Sequence, residues 1–149
     1  MKRIVFAVLA LFLVSFPAFA GGGLDDFLRS LNVQARADLE GYSARVSAQF
    51  GVPQMQVRAI IDTVREPADA FMVFQLGQMT RQDHDVVLQT YQKNRGKGWG
   101  VIAKEMGIKP GSREFHALKR GDFVLSGNPD DRGSEGHGKG KGKGKGHNK

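Results

Sequence analysis

Apolar residues recur at helical intervals through most of the chain. Leu39, Tyr42, Val46 and Phe50 follow one another at steps of three and four, and Gly51 then supplies a stop. Val57, Ile60, Ile61 and Val64 repeat the spacing after Pro53, a residue suited to a first helical turn. Pro67 ends that helix and opens the next, PADAFMVFQLGQM, which is apolar on most sides and so belongs at the centre of a bundle. TRQD at residues 80–83 resembles a capping box with Asp in place of the usual Glu. A helix through Val87, Leu88 and Tyr91 follows, to about Asn94, with Gly96 closing it. Another runs from about Trp99 to Met106 and is closed by Gly107. The last starts near Ser112, a good N-cap, buries Phe115 and Leu118, and stops at Gly121. No alternating strand pattern and no internal repeat occurs. The pattern predicts an all-α fold, a compact bundle of five or six short helices over about residues 24–121, with a helix-turn-helix-like last pair.

The apolar run at residues 4–16 is of another kind. Lys2 and Arg3 precede it, Pro17 breaks it, and AFA at residues 18–20 places small residues at a cleavage site before Gly21. It is short of the roughly 20 residues that a membrane span needs. Residues 1–20 therefore read as a cleaved signal peptide, which sends the chain to a bacterial periplasm or to the medium. The chain has no cysteine, which excludes disulfides, thiol catalysis and thiolate metal sites. A small exported domain without disulfides fits a bacterial envelope better than a eukaryotic secretory route.

Charge divides the remainder. The formal net charge is +7 at pH 7, and residues 133–149 hold five lysines against one glutamate. The expected division is a helical domain over 21–121 and a disordered Gly/Lys-rich tail over 122–149, too polar to offset its ordering entropy. Lys139, Lys141, Lys143, Lys145 and Lys149 are the expected polyanion-binding residues. Their partner would be an anionic envelope polymer or lipid surface, with non-specific nucleic acid as a further one. Five neutralised phosphates would give a log–log salt slope of roughly −4. His137 and His147 flank the lysine run, but ten residues of loose chain between them make a poor chelate.

The stretch GWGVIAKEMGIKPGSREFHALK carries the densest pattern. Ala103, Gly107 and Ile108 match the small, turn and apolar positions of a helix-turn-helix, but KPGS lengthens the turn and sets Phe115 and Leu118 two residues late. An export signal argues further against a gene regulator. Together with GVP at 51–53, PADAF at 67–71 and the signal, this stretch resembles a family of small exported bacterial helical proteins of unknown function. The resemblance implies a helical exported domain and carries over no catalytic residue.

Candidate chemistry is sparse. Trp99, flanked by Gly98 and Gly100, reads as an anchoring core aromatic or as a stacking platform in a ligand groove with His116. His116 otherwise reads as a partly buried structural histidine. Asp83, His84 and Asp85 have metal-ligand chemistry, but acidic residues at a predicted helix start also serve the helix dipole. No serine-centred elbow, phosphate loop or cofactor fingerprint is present. No catalytic residue, metal ligand or cofactor is assigned. The expected function is an exported binding or scaffolding protein of the cell envelope, attached electrostatically through its tail. The alternatives are an envelope enzyme acting on a polymer such as peptidoglycan, and a DNA-binding protein working outside the cytoplasm.

Overall fold

The helix without a polar face lies in the middle. The computed structural model describes residues 23–127, in which the helices are α1 (Leu24–Ala37), α2 (Leu39–Phe50), α3 (Gln54–Thr63), α4 (Pro67–Thr80), α5 (His84–Lys93), α6 (Trp99–Glu105) and α7 (Arg113–Arg120). Between Ala68 and Gly77 of α4, every residue but Asp69 and Gln75 is buried. α1, α2, α3 and α5 pack around it, and no strand occurs among the described residues. At its N-terminal half Phe71 takes the edges of Phe27 (5.3 Å between centroids) and Phe50 (5.4 Å).

Among the described residues there are seven helices where five or six were expected. The added helix is α1, which turns Leu24, Phe27, Leu28, Leu31 and Ala35 toward the core at helical spacing. Asp38 separates it from α2, where its carboxylate caps Gly41 N at 2.8 Å. The expected capping box at residues 80–83 is also corrected. Thr80 stays in α4 and its hydroxyl donates to Leu76 O (2.7 Å), while Arg81 ends the helix in the left-handed conformation, with φ 54°. Asp83 alone caps α5, accepting from Asp85 N at 3.1 Å. The capping box of this fold lies at the start of α4, between Glu66 and Asp69.

α6 and α7 close one end of the bundle. α6 packs on α5 and on α7, and α7 packs back on α1. Ile102, Ala103, Met106, Ile108 and Leu118 are buried at this seam, with Phe115 partly buried against them. The expected domain end at Gly121 moves outward. After α7 the chain crosses back over the core: Phe123 meets Phe27 at 5.9 Å, Leu125 is buried, and Gln49 of α2 holds Val124 O (2.9 Å) and Ser126 N (2.8 Å). The apolar pair Phe123 and Leu125 is what ties this segment down. The expected signal peptide at 1–20 and the tail lysines Lys139, Lys141, Lys143, Lys145 and Lys149 lie outside the described residues. Among the described residues no helix is long and apolar enough to cross a membrane.

Candidate functional site

Asp69 organises the region. It sits at the third position of α4, half-buried, and its carboxylate accepts from Tyr91 Oη (2.8 Å), Trp99 Nε1 (3.0 Å) and Glu66 N (3.3 Å). The Tyr91 hydroxyl in turn accepts from Arg65 N at 3.1 Å. The rings of Tyr91 and Trp99 stack at 5.2 Å. Burial raises the Tyr91 hydroxyl pKa above its ordinary value; the Arg65 N–H opposes this and the Asp69 carboxylate adds to it. Tyr42, fully buried beside α4, donates to Pro67 O (2.9 Å), and burial raises its pKa strongly, with Asp69 contributing. Three elements thus meet on one carboxylate, and that fixes where α6 begins.

Trp99 is consequently an anchor. One ring face is covered by Tyr91, its N–H is spent on Asp69, and it is 7% exposed. A stacking platform would have to use the other ring face, since Tyr91 takes one. His116 is exposed on α7, against the expectation of partial burial, since it points away from the seam that Phe115 and Leu118 fill. The structure does not bring Trp99 and His116 together: a groove does lie beside Trp99, but His116 is not among the residues lining it.

That groove, about 910 Å³, runs between the start of α1, the length of α7 and the start of α6. Its apolar floor is Leu24, Val101, Phe115 and the edge of Trp99. Its rim carries Arg29, Lys97, Lys104, Lys119 and Arg120 against the carboxylates Asp25 and Asp26. Arg29 is paired with Asp26 and Arg120 with Asp122, both at 2.7 Å, and Lys97 Nζ donates to Asn94 Oδ1 at 3.2 Å. Lys104, Lys119 and Asp25 have no ion-pair partner among the described residues. No serine, histidine or tyrosine side chain lines the groove among the described residues, so it offers neither a hydroxyl nucleophile nor an imidazole base. The rim was missed in the sequence reading, although Val101 and Lys104 stand three apart on one face of α6.

Asp83, His84 and Asp85 form the second cluster. Their ligand atoms lie within 4.8 Å of one another, close enough for a small cation. Asp83 and His84 also have local work. Asp83 caps α5, His84 Nδ1 faces Asp83 Oδ1 at 3.3 Å, and His84 Nε2 meets Gln56 Nε2 of α3 at 2.6 Å. The imidazole packs against Phe74 at 5.3 Å, so the cluster joins α3, α4 and α5. No family model, curated protein or solved structure matches the chain.

Proposed function

We propose that this is an exported, non-enzymatic binding protein of the bacterial cell envelope, attached to anionic polymer or lipid surfaces through its Lys-Gly tail. The observation that carries the reading is the groove of α1, α6 and α7: cations outnumber carboxylates over an apolar floor, and neither a hydroxyl nucleophile nor an imidazole base lines it among the described residues. Such a lining suits the binding and orienting of a charged ligand with an apolar part. An enzyme acting on an envelope polymer would be favoured by Trp99, His116 and a carboxylate sharing one pocket, and His116 lies outside it. A DNA reader of the helix-turn-helix kind would present its second helix to the groove of a duplex; here Arg120 of α7 is tied to Asp122, and Lys119 faces α1.

The test is a salt titration of binding to duplex DNA and to anionic phospholipid vesicles, with the full mature chain and with a chain lacking residues 133–149. The full chain should give a salt slope of roughly −4 on DNA, and the shortened one should lose most of that slope together with its affinity. Unchanged affinity after the deletion would place polyanion binding on the helical domain and remove the attachment role from the tail.

A further inference from the structure

What the groove of α1, α6 and α7 leaves out narrows its occupant. No serine, threonine, asparagine, glutamine, tyrosine or histidine side chain lines it among the described residues, and the indole N–H of Trp99 is spent on Asp69. Its side chains therefore offer a ligand two things, charge and apolar contact. A sugar or a peptide brings hydroxyls or amides that must leave water to bind. Exchanging those hydrogen bonds for bonds to charged side chains that water already reaches returns little.

The charge is net positive. Arg29 pairs with Asp26, Arg120 pairs with Asp122, and Lys119 offsets Asp25 in number. The surplus of two falls on Lys97 and Lys104, and no residue of α6 contributes a carboxylate to the lining. Both lysines are exposed, and the bond from Lys97 goes to the neutral Asn94 amide, so its charge stays available. The floor is open as well: Leu24, Val101 and Phe115, from three helices, are each only partly buried. A nucleic acid or an acidic polysaccharide would match the charge and leave this floor wet. A neutral apolar molecule would cover the floor and leave the charge unused. An anionic amphiphile meets both, and a phosphate monoester, with about −1.5 to −2 charges at pH 7, matches a surplus of two.

We infer that the groove is a binding site for a single-chain amphiphile with a phosphate head. The head is drawn by the surplus charge of Lys97 and Lys104, and the hydrocarbon chain lies on Leu24, Val101 and Phe115. The volume of about 910 Å³, toward the upper end of the usual range of about 300–1,000 Å³, admits one such molecule. The inference rests on the binding reading of the groove and is independent of the tail.

The probe is n-decyl phosphate, titrated as the monomer into the full mature chain by calorimetry and by amide chemical shifts. Binding should move the amides of Gly98, Gly100 and Val101. Dodecyl phosphate should bind tighter and octyl phosphate more weakly, by about twofold to fourfold per methylene, the scale of burying that group. Inorganic phosphate, a head without a chain, and decyltrimethylammonium, the same chain with the opposite charge, should each bind about tenfold more weakly or worse. The Lys97→Gln, Lys104→Gln double variant should bind decyl phosphate about threefold to tenfold more weakly, the scale of two exposed ion pairs, and lose most of its salt dependence. These side chains are exposed, so the variant keeps the fold. Lys109→Gln, exposed and outside the groove, should change neither quantity. Equal binding of decyl phosphate and inorganic phosphate would overturn the inference, as would equal binding of the two decyl headgroups or an unchanged salt dependence in the double variant. Tighter binding of tetraglutamate than of decyl phosphate would also overturn it, and would mark the groove as a general polyanion site. Deleting residues 133–149 should leave decyl phosphate binding unchanged. Its loss on that deletion would overturn the groove inference alone, whereas DNA binding that survives the deletion would overturn the tail's attachment role alone.

Discussion

At the scale of single residues, the carboxylate of Asp69 holds the most. It takes two side-chain donors and one backbone donor from three parts of the chain. Hydrogen bonds to a charged group contribute about 1.5–3 kcal/mol each, and part of that goes when the acceptor becomes an amide. Asp69→Asn should lower unfolding stability by about 2–3 kcal/mol, while the exposed Asp62→Asn should stay within about 0.5 kcal/mol. Urea unfolding of both variants checks this, and equal midpoints would remove Asp69 from its place. The buried tyrosines set an alkaline limit. Burial raises the pKa of Tyr42 and of Tyr91, so each remains protonated in the fold where the unfolded chain, with an ordinary value of about 10, begins to ionise. Their contribution is fully present below about pH 10 and is lost as pH rises from there toward the folded values. Tyr42→Phe should cost about 1 kcal/mol at pH 8, through the lost bond to Pro67 O, and should decline less steeply above pH 10. Parallel stability curves from pH 8 to 11 would contradict the assignment.

Among elements, what could be read from the chain alone follows a physical division. α4 was legible because a run that is apolar on all sides has one place to go. Stops at Gly51 and Gly121 were legible because both take φ of 66°, a left-handed turn that glycine adopts without strain. α1 was not resolved, since its apolar stripe is interrupted by Asp25, Asp26 and Arg29, which belong to the groove. The TRQD start was misplaced because Arg81 takes a left-handed conformation that nothing in its side chain announces. Trp99 could be read as a core anchor, but its acceptor stands thirty positions earlier, and only the packing of α4, α5 and α6 joins them. The two glycine stops differ in their surroundings, and substitution should show it. An added Cβ at Gly51 meets nothing within 4 Å, whereas at Gly121 it would lie 3.0 Å from Gly23 O and from Leu24 Cα. Gly51→Ala should cost about 1 kcal/mol from backbone strain alone. Gly121→Ala should cost about 2–3 kcal/mol, because the start of α1 must also shift. Thermal melts of the two variants decide the order, and equal losses would mean that α1 yields freely at that contact.

For the whole molecule, the boundary between folded domain and tail is the feature most open to trial. Leu125 is buried and Phe123 packs on Phe27, so the domain continues past α7. Removing residues 128–149 should leave the melting temperature within error. Removing residues 122–149 takes away two core contacts and should cost about 2–5 kcal/mol, the scale of a large apolar truncation. Equal melting temperatures for the two truncations would put the boundary back at Gly121. The same crossing segment has a mechanical meaning. If the lysines grip a surface, any drag on the protein enters through residue 127 and reaches Gln49 on α2, with its two bonds to Val124 and Ser126, before it reaches α7. Gln49 and the Leu125 plug then act as a strain relief. Under load the segment from 122 to 127 peels away first and lengthens the tether by roughly 20 Å, while the groove between α1, α6 and α7 keeps its shape.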